Sequence, residues 1–329
     1  MQAFTIVVPA YNNPEYTKKT LNSVLSQNYR PLNLVLVDDH SPSSLAPLAY
    51  EFRQLIDNGI RFDFHVNTKN LSADNYYVCY TLIKSDWCMF LHHDDELTDP
   101  AFISECMELI KANPKLVGCY GNAVTEKNKR PMVRDNNESW QILEGPKFIK
   151  YILQNGHTAW SSIVFKQSAL KFLDFPRPPF LIDNETSSRT GLDCDEGFST
   201  HYLLSMEGDW AVTGKVVAQR GEPESQFSRS DGWKTTGNSM FFIYYGIYNC
   251  LIQGKYENKI KILALISTLR WGLPTSEGFR LNTMLKYYNK PPLLSILYFI
   301  IWIISKSNNK RRIKTLEIAL MLAQKVFKI

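Results

Sequence analysis

The chain has 329 residues, 44% of them hydrophobic and 13% aromatic, with a net charge of +5. That excludes a disordered chain and leaves room for one large domain with an extension. The charge is unevenly spread: residues 1–254 carry 23 Lys and Arg against 29 Asp and Glu, whereas residues 255–329 carry 14 against 3. A mildly acidic body with a strongly basic tail points to an anionic surface as the tail's neighbour.

In chain order, the first 120 residues alternate strand and helix signals. Phe4–Val8 reads as a strand, and Asn13-Pro14 opens a helix carrying Tyr16, Leu21, Val24 and Leu25. The apolar run Asn33–Val37 suits a buried parallel strand. A helix follows at Leu45–Ile56, a strand at Arg61–Val66 and a helix at Ala73–Ile83. Trp87–Leu91 is the next strand, followed by a helix starting at Pro100 and a strand at Leu116–Tyr120. Strands separated by crossover helices predict an α/β domain with a doubly wound, mostly parallel sheet. Residues 121–239 are less regular, with a helix expected over Asp195–Met206, and residues 240–329 form a helical, basic extension. The six cysteines, Cys79, Cys88, Cys106, Cys119, Cys194 and Cys250, include no C-x-x-C pair and read as reduced structural thiols. The opening MQAFTIVVPAYNN reads as a strand, not a signal peptide.

Ligands of such sheets bind beyond the carboxyl ends of the strands, and the polar clusters of this chain fall there. The first strand ends in Pro9-Ala10-Tyr11-Asn12, the second in Val37-Asp38-Asp39-His40-Ser41, and the fourth in Leu91-His92-His93-Asp94-Asp95-Glu96. No G-x-G-x-x-G follows any strand, which excludes a dinucleotide-binding dehydrogenase. Taken as an ordered set, these motifs resemble the inverting glycosyltransferases of family 2, which have the GT-A fold. The segment Asn70-Leu71-Ser72-Ala73-Asp74-Asn75 is similar to the family's stretch before the aspartate cluster. The resemblance covers roughly residues 3–225, and residues 1–120 and 121–239 then correspond to the nucleotide-sugar-binding and acceptor-binding halves.

The resemblance implies roles residue by residue. Pro9 and Tyr11 would line the base pocket, Asp39 would contact the base or ribose, and Asn75 and Arg220 would join the donor site, Arg220 as a phosphate contact. A turn and helix cap before Ser41-Pro42 is the plain alternative for Asp38 and Asp39. Asp94 and Asp95 would hold Mn²⁺ or Mg²⁺, since hard cations take oxygen ligands and bridge to phosphate. His92 stands where the family carries its first aspartate, and would ligate the metal or hydrogen-bond a ribose or phosphate oxygen. The base that deprotonates the acceptor is expected in Gly191-Leu192-Asp193-Cys194-Asp195-Glu196, at Asp195 or else Glu196. His157, Trp160 and Ser161 lie between these motifs, with Trp160 suited either to the face of a pyranose or to the core.

In the tail, Pro291–Ile304 is an apolar run followed by Lys306, Lys310, Arg311, Arg312 and Lys314. The run falls short of the ~20 residues needed to span a bilayer, and suits a helix lying on an anionic membrane rather than nucleic acid. The expectation is an inverting, monomer-adding enzyme, peripheral at the cytoplasmic face of the cell membrane. It would move a sugar, from a UDP-sugar first of all, to a polyprenyl-diphosphate-linked glycan in bacterial surface polysaccharide synthesis of the O-antigen type. A degenerate, non-catalytic sugar-binding module and a sugar nucleotidyltransferase are the alternatives.

Overall fold

In the computed structural model, the residues described are 2–57, 59–71, 75–168, 204–205 and 207–223. They belong to the first of two units into which the chain divides, Met1–Arg229. Strands β1 (Phe4–Ala10), β2 (Leu32–Asp38), β3 (Ile60–Val66) and β4 (Trp87–Phe90) alternate with helices α1 (Pro14–Leu25), α2 (Ala46–Arg53) and α3 (Asn75–Thr81). Then come β5 (Glu96–Leu97), α4 (Phe102–Ala112), β6 (Leu116–Thr125), β7 (Gln141–Leu143), α5 (Gly145–Asn155), β8 (Ile163–Lys166) and β9 (Asp209–Arg220). The nine elements expected over the first 120 residues are all present, with ends shifted by a few residues. Ala73, the expected start of α3, lies outside the described residues.

The nine strands among the described residues join one sheet in the order β3-β2-β1-β4-β8-β6-β9-β5, with β7 also paired to β9. The pairs β3/β2, β2/β1, β1/β4 and β6/β9 are parallel, whereas β8, β5 and β7 pair antiparallel. Every residue of β1 is buried, as are six of the seven in β2. This is why both read as continuous apolar runs: layers cover the two faces of a central parallel strand. Phe4, Ile6, Leu32, Leu34 and Leu36 have no exposed surface, and each contributes roughly 1.5–3 kcal/mol by leaving water.

Helix α1 begins at Pro14, whose fixed φ and missing N–H suit a first turn, after a left-handed Asn13. Its buried stripe, Thr17, Thr20, Leu21 and Val24, follows helical spacing. The hydroxyls in the stripe do positional work. Thr20 Oγ1 donates to the Asp95 carbonyl at 2.7 Å, and Ser23 Oγ accepts from the Leu97 N–H at 3.0 Å. Thus α1 grips the segment that follows β4.

The long parallel pair β6/β9 carries register shifts around Asn122. Asn122 is fully buried and satisfies the irregularity itself. Its amide donates to the Val133 and Gly214 carbonyls, while its Oδ1 accepts from the Val133 and Ala123 N–H groups. Trp210 stacks on Phe148 with centroids 4.2 Å apart and lies over Gly118, where a Cβ would stand 2.4 Å from the ring. The described cysteines, Cys79, Cys88, Cys106 and Cys119, are free and buried, as expected. Among the described residues no helix is long and apolar enough to cross a membrane.

Candidate active site

Because β1 lies between β2 and β4 in parallel register, the carboxyl ends of the three strands face the same way. At the end of β1, Pro9 is buried, Tyr11 is 40% exposed, and Asn12 and Asn13 adopt positive φ. Asn and Asp tolerate this left-handed region better than other side-chain-bearing residues. The turn is tied to its neighbour twice: the Asp39 N–H donates to the Ala10 carbonyl at 2.8 Å, and the Asn12 N–H to Ser41 Oγ at 2.8 Å.

The two carboxylates ending β2 divide their tasks. Asp38, 1% exposed, closes its own turn: Oδ1 accepts from the Ser41 N–H and hydroxyl, and Oδ2 from the Leu45 N–H. The capping alternative therefore describes Asp38. Asp39 belongs to a buried network instead. Its Oδ1 accepts from Asn67 Nδ2 and from the Leu71 N–H, both at 2.8 Å, and Asn67 Nδ2 also donates to Asn75 Oδ1 at 2.9 Å. Asn67, 5% exposed, is the link between Asp39 and Asn75 that sequence reasoning missed. Its signal was its place: one residue past β3, level with Asp38 and Asp39.

The end of β4 gathers the second cluster. His92, Asp94 and Asp95 each offer a ligand atom within 4.8 Å of the others'. Asp95 is 1% exposed and anchored on both sides. Its Oδ1 accepts from the Gly221 N–H at 3.1 Å, and its Oδ2 accepts a short hydrogen bond from Ser161 Oγ. Burial pushes the Asp95 carboxyl above its usual range, and the neighbouring Asp94 carboxylate pushes it further. His92, a third exposed, is held by Tyr76, whose hydroxyl lies 2.8 Å from Nε2, while Nδ1 is 3.6 Å from Asp95 Oδ2. Burial lowers the basicity of His92, so the ring is neutral at pH 7. His93 is neutral for the same reason and hydrogen-bonds the backbone of Pro9.

Two crowded carboxylates and a neutral imidazole fit a divalent cation, which would relieve the repulsion that raises Asp95. Asp94 and Asp95 would supply oxygen ligands, and the charge would serve to neutralise a phosphate. Arg220, at the end of β9, brings positive charge to this cluster: its field favours the neutral form of His92 and the ionised form of Asp95. Gly221 comes so close that a Cβ there would stand 1.8 Å from the Asp94 carbonyl oxygen. Glu96 pairs through its backbone with Gln219 in the β5/β9 ladder and is half-buried.

Trp160 is 9% exposed, and its ring packs between Phe90 and Tyr76, at 4.7 and 5.2 Å. It is thus a core residue that floors the His92 side of the cluster. Ser161, which drew notice only as a polar neighbour of Trp160, anchors Asp95. Together with Asn67, Tyr76 and Gly221 it makes the part of the site that motifs did not disclose. Asp193, Asp195, Glu196 and the expected helix over Asp195–Met206 up to residue 203 lie outside the described residues, as do Ser72–Asp74, Cys194, Cys250 and the basic tail.

The fold and motifs have counterparts among known proteins. A teichoic acid poly(glycerol phosphate) polymerase of Staphylococcus epidermidis is 33% identical over 102 residues, 31% of this chain and 14% of that protein. A GalNAc(5)-diNAcBac-PP-undecaprenol beta-1,3-glucosyltransferase of Campylobacter jejuni is 26% identical over 127 residues, 39% of this chain and 40% of the relative. The chain thus spans less than half the length of these relatives. Among solved structures, S. aureus TarS 1-349 in complex with UDP-GlcNAc superposes with a TM-score of 0.60 at 14% identity, covering 94% of this chain and 83% of that one. The mannosyltransferase PcManGT from Pyrobaculum calidifontis, in complex with GDP-Man and Mn²⁺, gives 0.56 at 14% identity, covering 99% and 87%. These likenesses establish a GT-A fold. The sequence model of glycosyl transferase family 2 matches residues 5–172, just over half the chain and every strand end described above except that of β9. The chain belongs to glycosyl transferase family 2.

Proposed function

We propose that this chain is an inverting, metal-dependent glycosyltransferase that moves a sugar from a nucleotide donor to a hydroxyl of a lipid-linked glycan during bacterial surface-polymer synthesis. The observation that carries the reading is the division of labour at the strand ends: a buried Asp39–Asn67–Asn75 network at β2/β3 beside a His92–Asp94–Asp95 cluster at β4. The first offers a carboxylate to N–H and O–H donors of a base and ribose, with Pro9 and Tyr11 beside it. The second, with Mn²⁺ or Mg²⁺ bound and Arg220 near, offers positive charge to a departing diphosphate.

UDP-sugars are the proposed donors, since TarS forms complexes with UDP and with UDP-GlcNAc. Support for a polyprenyl-diphosphate acceptor comes from the Campylobacter relative, whose name states that substrate, and for surface polymers from the teichoic acid relatives. Asp195, or else Glu196, is proposed as the base, and the basic tail as the contact with the inner face of the membrane. The second reading, a sugar-binding module without turnover, draws on His92 at the place of a family carboxylate.

A thermal-shift panel of UDP, GDP, dTDP and CDP, each with and without Mn²⁺, tests the proposal. One nucleotide stabilising the protein only with metal supports it, and no shift from any of them overturns it. Asp195→Asn should then abolish transfer while leaving nucleotide binding intact. No turnover in the wild type with any UDP-sugar and lipid-linked acceptor, despite metal-dependent binding, would favour the binding module.

A further inference from the structure

The side chain that departs from the family is bracketed on both sides. His92 projects from the end of β4 beside Asp94 and Asp95, and its Nε2 lies 2.8 Å from the hydroxyl of Tyr76 on α3. Its Nδ1 faces the other way, 3.6 Å from Asp95 Oδ2, which is beyond hydrogen-bond reach. Asp95 Oδ2 already accepts from Ser161, and Oδ1 from Gly221, so neither oxygen needs a proton from the ring. Tyr76 is fixed in turn: its ring stacks on Trp160 at 5.2 Å and meets Phe90 edge-on at 5.7 Å. One ring nitrogen hydrogen-bonded to an outer partner and the other turned toward carboxylates is the arrangement of a metal-ligating histidine. Ligand atoms around one first-row ion at ~2.1 Å lie roughly 3 Å apart when adjacent, so the 3.6 Å separation closes with a small shift.

We propose that Tyr76 is a positioning residue that holds His92 as its Nε2–H tautomer. Nδ1 is thereby presented with Asp94 and Asp95 as a nitrogen ligand, making a mixed N/O site that selects Mn²⁺ over Mg²⁺. The inference rests on the metal-dependent reading above and deepens it. Mg²⁺ demands oxygen ligands and sheds water reluctantly, whereas imidazole suits the transition-metal dications. The substitution of histidine for the family's aspartate is thus a change of metal preference. In this arrangement the Nε2–H donates to the Tyr76 oxygen.

The experiment is a titration of the full chain with Mn²⁺ in the presence of UDP, followed by the EPR signal of free Mn²⁺, with Mg²⁺ as competitor. The wild type should hold Mn²⁺ against a large excess of Mg²⁺. His92→Asp should cut the ratio of Mn²⁺ to Mg²⁺ affinity at least tenfold. Tyr76→Phe, which keeps the ring packing, should weaken Mn²⁺ on the order of 10–100-fold, as loss of a ligand's outer partner does. It should leave Mg²⁺ nearly unchanged, and in the His92→Asp background it should have no further effect. An unchanged ratio in His92→Asp, or unchanged Mn²⁺ affinity in Tyr76→Phe, overturns the inference. Asp94→Asn separates the two levels: if it leaves Mn²⁺ binding intact, the metal-dependent reading itself fails. If it abolishes binding while His92→Asp and Tyr76→Phe match the wild type, only the nitrogen ligand is lost. Nitrogen-15 shifts of His92 give a second readout, and a protonated Nδ1 in the metal-free protein also overturns the proposal.

Discussion

Replacing Gly221 with alanine should disable the proposed metal site without touching any of its three ligand candidates. A Cβ built on Gly221 stands 1.8 Å from the Asp94 carbonyl oxygen and 2.9 Å from its carbonyl carbon. Real Cβ atoms essentially never come closer than 3.0 Å, so one backbone must retreat by at least 3.0 − 1.8 = 1.2 Å. If β9 retreats, Asp95 Oδ1 loses the Gly221 N–H, and a buried polar group left without its partner costs roughly 1–3 kcal/mol. At 2–4 °C per kcal/mol for a domain of this size, the melting temperature should fall by roughly 2–12 °C. If Asp94 retreats instead, a ligand moves by about 1 Å, which costs on the order of 100-fold in rate. Calorimetry with Mn²⁺ and UDP, turnover and a thermal melt together read both outcomes. Ser161→Ala removes the other anchor of Asp95 without adding an atom, and should weaken Mn²⁺ binding in a protein that still folds. A Gly221→Ala protein that melts, binds Mn²⁺ and turns over like the wild type would refute the close approach and the role assigned to it.

Three further outcomes follow from other parts of the molecule. Asp39→Asn should lower nucleotide affinity at least tenfold in calorimetry while Mn²⁺ alone still binds: the amide oxygen can still accept from Asn67 and Leu71, but the amide is uncharged and sets an N–H donor where the second carboxylate oxygen would accept from a base or ribose. Cys88, Cys106 and Cys119 have no exposed surface, and burial pushes the thiols of Cys88 and Cys106 well above their ordinary range. Peptide mapping after maleimide treatment should find these three labelled only once the chain is unfolded. Lys215 binds Asp99 and Glu105 at 2.6 and 3.0 Å, and these hydrogen bonds raise its ammonium above the usual 10.5. A raised cationic group contributes stability that is complete below its unfolded value and lost as pH climbs through the folded one. Melting temperatures should therefore decline above pH 10.5 less steeply in Lys215→Met than in the wild type.

The sequence displayed the elements up to β6, β5 excepted, because each is long enough to show its period, and because buried parallel strands are unbroken apolar runs. The later part of the sheet hides for the opposite reasons. β5 has two residues and β7 three, below any periodicity, and β8 pairs antiparallel in a stretch otherwise read as irregular. The strand-end rule located Asp39, Asp94 and Asp95 because it requires only strand order. It could not separate Asp38 from Asp39, since both are carboxylates at one strand end and only their partners differ. Ser161 and Gly221 reach Asp95 across 66 and 126 residues, and no local pattern encodes such contacts. Tyr76 was legible as a helix residue but not as the partner of His92, because that pairing depends on how α3 docks beside β4.

The placement of β9 also bears on where the part of the chain that matches the family can be cut. The match to the family stops at residue 172, yet β9 begins at Asp209 and pairs with β6, β5 and β7. A fragment ending with the match would leave β6 as a ten-residue edge, eight of whose residues are buried in the intact protein. Bare edges of that length template pairing with other chains. The same fragment would hold Asp95 by Ser161 alone, with no Arg220 beside it. The part of this chain that matches the family lacks a strand of its own sheet, and a ribosome must deliver some fifty residues more before the His92–Asp94–Asp95 cluster has its full set of supports.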